Sequence, residues 1–216
     1  MGYMGHDDWL DMSDFVVHFT RPDDGRSGYQ NSLSILGGGR IDALNPFGSA
    51  TNLPLGDTQD CVCFSEIPLG YLNRLVSRRS RFGVGFHRST LIERGGGRVW
   101  YLDPYTPQSA AFREMVRLAM VGGVDPDDEI WRLTPFVDQL AANYRFEWER
   151  EWRCVGNFDF SPDEVAFIFV PEDLVGAATA FLATGGDNTG PAYCCPILDP
   201  SWGIEELHNA LLAVGT

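Results

Sequence analysis

Short apolar runs separated by glycine, proline and asparagine dominate this chain, and few segments sustain a helical apolar repeat. Phe15-Val16-Val17-His18-Phe19-Thr20 is β-branched and aromatic and predicts a strand. Pro, Asp and Gly crowd residues 21–28 and predict a loop. Asn31 to Leu36 then predicts a short helix that Gly37-Gly38-Gly39 stops. Residues 42–60, rich in Pro, Gly and Asn, read as an irregular surface loop. Cys61 to Ser65 predicts a second strand, followed by a helix from about Pro68 to Arg79. Phe82-Gly83-Val84-Gly85-Phe86 predicts a third strand, whose glycines imply a bulge or the close approach of another backbone or a ligand.

Arg98 to Leu102 predicts another strand, and Pro107 to about Gly122 has helical apolar spacing at Phe112, Met115, Val116, Leu118 and Ala119. An acidic loop, Asp125 to Glu129, follows, and then a short helix over Trp131 to Asp138. Phe146 to Arg153 and the nearly continuous apolar run Glu164 to Val170 predict two further strands, the second buried on both faces. Gly203 to Val214 predicts a closing helix. Strands outnumber long helices and no βαβ alternation is present, so the fold class is α+β. No repeat, low-complexity tract or linker interrupts the chain, which predicts one domain over residues 1–216.

The segment Arg145 to Arg153 packs three carboxylates, three guanidinium groups and two indoles into nine residues. Strand alternation puts Glu147, Glu149, Glu151 and Arg153 on one face and Phe146, Trp148, Arg150 and Trp152 on the other. Three like charges on one face repel unless a cation lies among or opposite them. Two uses fit: a structural ion-pair ladder with Arg145, Arg150 and Arg153, or a ligand cleft lined by carboxylates.

The net charge is −14, yet the chain has no lysine, and all 16 of its cations are arginines. Seven of them lie between Arg74 and Arg98 with only Glu93 opposing them, while nine acids and no arginine follow Arg153. An acidic protein repels nucleic acid overall, but a local arginine-rich surface still binds phosphates. No apolar run reaches the length of a membrane span, and the first eight residues lack the pattern of a signal peptide. The five cysteines contain no C-x-x-C, which argues against zinc and for a reducing cytoplasm.

His18, within an apolar strand, reads either as a hydrogen-bonded core histidine or as a ligand contact. Neither triple glycine matches a phosphate-binding loop, and both read as a helix stop or a hairpin turn. Arg78, Arg79 and Arg81 form either a solvated helix end or a clamp for a diphosphate or nucleic-acid backbone. Glu149 and Glu151 are ion-pair partners or catalytic acids. Cys194 and Cys195 have no activating base visible in the sequence and read as structural.

Val17-His18-Phe19-Thr20, Asn31-Ser32-Leu33-Ser34-Ile35-Leu36 and Gly39-Arg40-Ile41, in that order, resemble the opening of ADP-ribosyltransferase-fold proteins, notably DNA-modifying toxins of the DarT type. Cys61 to Leu69, Phe82 to Phe86, Val99-Trp100-Tyr101 and Glu149 to Arg153 together resemble the AbiGi-type abortive-infection family, linked to phage defence. The resemblance spans roughly residues 15–172 and implies a core of 14–172 with a C-terminal extension, 173–216. It implies two bent mixed sheets around a nucleotide cleft and an NAD⁺-dependent ADP-ribosyltransferase. His18 and Thr20 would hold the nicotinamide ribose. Ser65, Arg81 and Phe86 would line the NAD⁺ site, with Tyr101 and Trp148 as further aromatic walls.

Glu151 would stabilise the oxocarbenium-like state as nicotinamide leaves, and Glu149 would position or deprotonate the acceptor. The acceptor would be DNA, RNA or protein, met through the arginine-rich region 74–98, and a cognate antitoxin is an implied partner. The chain departs from the DNA-modifying toxins at Glu66, where they carry an arginine; Arg78, Arg79 and Arg81 are the cations available to replace it. AbiGi-type proteins also occur on the antitoxin side, which implies the alternative of a non-catalytic binding protein.

Overall fold

A computed structural model of the chain describes residues 13–66, 68, 71–72, 76–140, 146–182, 184–185, 188–189 and 191–212. In chain order the main elements are strand β1 (Phe15–Phe19), helix α1 (Gly28–Gly38), strands β2 (Cys61–Glu66) and β3 (Gly83–His87), helix α2 (Arg88–Glu93), and strands β4 (Gly97–Arg98) and β5 (Trp100–Leu102). Helices α3 (Pro107–Ala119) and α4 (Ile130–Leu133), strands β6 (Val137–Gln139), β7 (Glu151–Val155) and β8 (Val165–Phe169), helix α5 (Glu172–Leu182), strand β9 (Ile197–Leu198) and helix α6 (Ile204–Leu212) follow. The mixture is α+β, as the apolar pattern predicts. Among the described residues no helix is long and apolar enough to cross a membrane. The chain divides into two compact units, one of residues 1–41, 64–91 and 159–216, the other of 42–63 and 92–158.

The first unit is built on a mixed sheet in the order β9, β8, β3, β1 and the second half of β2. β1 pairs antiparallel with β2 and β3, β8 pairs antiparallel with β3, and β8 pairs parallel with β9. Val16, Val84, Phe86, Phe167, Ile168 and Phe169 are all buried, so the middle strands are covered on both faces. The glycines of β3 answer to close approach within the sheet. A Cβ at Gly83 would lie 2.9 Å from the His18 carbonyl oxygen, and one at Gly85 would lie 2.4 Å from the Phe167 ring. β8 also shifts register between Val165 and Phe167 beside that contact.

Helix α1 begins at a capping box, in which the Gln30 amide N–H donates to Ser27 Oγ and the Ser27 amide donates to Gln30 Oε1. It ends at Gly39 in the left-handed region, where a Cβ would also lie 2.8 Å from the Phe160 carbonyl oxygen. The glycine run thus stops the helix as its sequence predicts. Helix α5 has no counterpart among the predicted elements; its buried residues Ala178 and Leu182 are four apart, and Phe181 reaches α1 at Gly37. Asp199, after β9, accepts from the Glu172 amide at 2.7 Å and so fixes the start of α5.

The second unit has its core in Ala50, Leu55, Leu102, Phe112, Ile130, Trp131 and Val137. Residues 42–60 are irregular and mostly exposed, as predicted, but three buried side chains anchor them to the unit's core. Ala50, Leu55 and Gln59 are buried, and Gln59 Nε2 donates to the Trp131 carbonyl while Thr134 Oγ1 donates to Gln59 Oε1. The predicted helix over 131–138 is also corrected: α4 stops at Leu133, Thr134–Phe136 tightens into a 3₁₀ turn with Pro135 in its first turn, and Val137 begins β6 in parallel register with Trp100. Proline opens the tight turn, and β-branched Val137 prefers the strand. Helix α3 agrees with its apolar spacing, capped by Thr106 with Pro107 at its start. Five residues of the helix expected over 68–79 (69, 70 and 73–75) lie outside the described residues.

The Phe146–Arg153 strand is corrected as well. Glu147–Glu149 forms a 3₁₀ turn, Arg150 takes the left-handed conformation (φ 46°, ψ 54°), and β7 begins only at Glu151. The turn removes the three glutamates from a single strand face, where their charges would repel. Within β7 the alternation holds, so Glu151 and Arg153 do share a face.

Candidate functional site

The most concentrated chemistry lies in the second unit, around the Arg153 guanidinium, which is 0% exposed. Arg153 Nε donates to Glu151 Oε1 at 2.9 Å, Nη1 donates to the Pro135 carbonyl at 2.6 Å, and Nη2 donates to Asp138 Oδ2. Its Cζ lies 4.8 Å from the centroid of the Phe47 ring. The Tyr101 hydroxyl donates to the other Glu151 oxygen, Oε2. Tyr101 and Asp138 face each other in the β5–β6 register, so β5, β6 and β7 meet on one buried cation.

Removing an arginine from water is costly, and two carboxylates offset that cost only with such geometry. Burial works against the charged guanidinium, but Glu151 and Asp138 outweigh it and hold the pKa of Arg153 above its ordinary value. Burial and the Glu151 carboxylate together push the Cys63 thiol well above its usual range. One guanidinium against two carboxylates is a fixed, buried ionic lock.

The remaining predicted residues fall as follows. Glu149 is buried in the 3₁₀ turn, and Glu147 is exposed. His18, Thr20, Ser65, Arg81 and Phe86 lie in the first unit. The register of β1 with β2 and β3 puts His18 and Phe86 on one sheet face, and the His18 ring meets Phe64 edge-on at 5.9 Å. Ser65 pairs with Val17 and therefore faces the opposite side. Thr20 is buried, its hydroxyl donating to the Gly28 carbonyl at 2.8 Å. Phe86 is 0% exposed, wedged between Phe64 and Phe160.

The arginine-rich segment is largely tied down within each unit. Arg81 pairs with Asp199 and Arg88 with Asp14. Arg94 lies over Phe158, and Arg98 over Trp152. Arg74 lies outside the described residues. Sequence reasoning did not single out Asp138, Pro135 or Phe47. They reach Arg153 through chain reversals that no local pattern announces, although the same-face pairing of Glu151 with Arg153 was readable. Among the described residues no group of three or more His, Cys, Asp or Glu is arranged to hold a metal ion.

A family whose description reads "Putative abortive phage resistance protein AbiGi, antitoxin" matches residues 47–180. That span is more than half of the chain, and the chain belongs to this family. No curated protein and no solved structure matches it.

Proposed function

We propose that this AbiGi-family chain is the antitoxin of an abortive-infection pair and acts by binding its toxin. The observation that carries the reading is the family match over residues 47–180, whose description is that of an antitoxin. The chemistry around Arg153 supports it. Both oxygens of Glu151, the acid best suited to catalysis by resemblance, are engaged by Arg153 and Tyr101. A carboxylate held this way ties strands together and needs no substrate to explain it. The test is calorimetry of the purified chain against the purified products of the genes adjacent to its own. Saturable binding near equimolar ratio is expected, and absence of binding removes the reading.

A second reading is an NAD⁺-dependent ADP-ribosyltransferase modifying DNA, RNA or protein, favoured by His18 and Phe86 sharing a sheet face. As the resemblance implies, His18, Thr20, Ser65, Arg81 and Phe86 would then serve NAD⁺ and Glu149 and Glu151 would be the acids, although Ser65 stands on the sheet face opposite His18 and Phe86. Glu151 would have to accept a further hydrogen bond from the ribose, and a carboxylate has the lone pairs for it. Nicotinamide release from NAD⁺ that Glu151→Gln abolishes would establish this reading.

A further inference from the structure

Helix α3 has two apolar faces, and the core of its unit uses only one of them. Ser109 and Phe112 are buried and Val116 packs against the core cluster. On the outer side Met115 is 49% exposed, Leu118 55% and, one turn beyond, Val121 68%. Their three-residue spacing makes one continuous stripe along the helix and its C-terminal turn. Scattered exposed apolar residues need no explanation, but a stripe along one element marks a contact surface.

The charges beside the stripe say what covers it. Arg117 forks onto Glu114 through two hydrogen bonds of 2.8 and 2.7 Å, and Arg132 pairs with Glu129, so these charges cancel. Asp125, Asp127 and Asp128 come after the turn at Gly122-Gly123 that ends the stripe, are exposed, and pair with no arginine among the described residues. Their loop is set in place, because the Trp131 indole N–H donates to the Asp125 carbonyl and Asp128 Oδ1 accepts from the Ile130 amide. The surface is therefore an apolar helix face followed along the chain by a held anionic loop, on a chain of net charge −14. A second copy of so acidic a chain is a poor match for it, whereas a cationic protein is both steered and held.

We infer that the outer face of α3 and the 125–128 loop form the toxin-docking surface, and that the toxin presents apolar side chains rimmed by arginine or lysine. The inference rests on the antitoxin reading and names its contact. It is tested with the purified adjacent-gene product that binds the parent chain, titrated against the full chain and two variants. Met115→Glu/Leu118→Glu is expected to weaken binding at least about tenfold. Asp125→Asn/Asp127→Asn/Asp128→Asn keeps the oxygen acceptors of the loop and is expected to weaken binding and flatten its salt dependence. Thermal melts of both variants should match the parent, and the loop variant keeps the test valid if the helix variant does not fold. Parental binding followed by unchanged affinity in the variants overturns the surface and leaves the antitoxin reading standing. No binding by the parent chain overturns both. A dimer in sedimentation that Met115→Glu/Leu118→Glu dissolves would assign the face to self-association and overturn the inference.

Discussion

Glu151 and Arg153 stand two residues apart on one face of β7, and the fully buried Arg153 Nε closes on Glu151 Oε1 at 2.9 Å. The same guanidinium reaches Asp138 and the Pro135 carbonyl, so one side chain ties β7 to β6 and to the turn that precedes it. Arg153→Ala strands two carboxylates away from water without their cation and should cost about 3–5 kcal/mol. Glu151→Gln keeps an oxygen acceptor for Arg153 and should cost less, about 1–3 kcal/mol. Urea unfolding curves of the two variants measure the difference, and equal losses would contradict the lock.

Asp199 is the corresponding anchor of the first unit. Burial opposes its ionisation, but hydrogen bonds from the Ser201 hydroxyl and amide and from the Glu172 amide, with Arg81 nearby, hold its carboxyl below the usual range. A carboxyl depressed in the folded state contributes stability that is complete above its unfolded value, about 4, and is lost as pH falls through the folded one. Asp199→Asn should therefore destabilise the chain at pH 7, and its gap from the parent should narrow in acid. Melting temperatures recorded from pH 7 down to about 3 check the direction. Arg81, whose side chain is half exposed, adds little, and Arg81→Ala should cost under about 1 kcal/mol.

Gly85 faces the Phe167 ring so closely that a Cβ has no room. Gly85→Ala should destabilise by about 1–3 kcal/mol through overpacking. Phe167→Leu, itself a cavity-forming change, should recover part of that loss when combined with it. A double-mutant cycle reads the coupling, and strict additivity would contradict the contact.

Burial pushes the thiols of Cys61 and Cys154 up to about 12 and that of Cys63 well above its usual range, while Cys194 is exposed. A buried protonated thiol is a poor nucleophile. Iodoacetamide at pH 8 should label Cys194 first and reach Cys61, Cys63 and Cys154 only on unfolding, as peptide mass mapping would show.

Elements whose signal is local were legible in the sequence. The β-branched run at Phe15, the glycine stop at Gly39, the apolar spacing at Phe112 and Val116 and the double-sided apolar strand before Val170 all appear where their patterns place them. The segment around Glu149 reads in the sequence as one strand face with Glu151, but it forms a 3₁₀ turn. Local alternation cannot foresee that Arg150 adopts a left-handed turn, which resets the face of every residue before it. Likewise, Val137 looked like the end of a helix because its parallel partner, Trp100, is distant in sequence. The ion pair of Glu151 with Arg153 was readable from i, i+2 spacing; the burial that makes it a lock, and the arrival of Asp138 and Tyr101, depend on packing between distant segments. Helix α5 had a readable signal, acids after Pro171 and apolar residues four apart at Ala178 and Leu182.

The most direct measurement is growth of cells carrying this chain alone, its adjacent gene alone, or both, with Glu151→Gln run in parallel. The account predicts that the chain alone is harmless, that the neighbour alone arrests growth, and that co-expression restores it for the parent and for any Glu151→Gln protein that folds. Growth arrest by this chain alone, relieved by Glu151→Gln, would contradict the account and make Glu151 a catalytic acid.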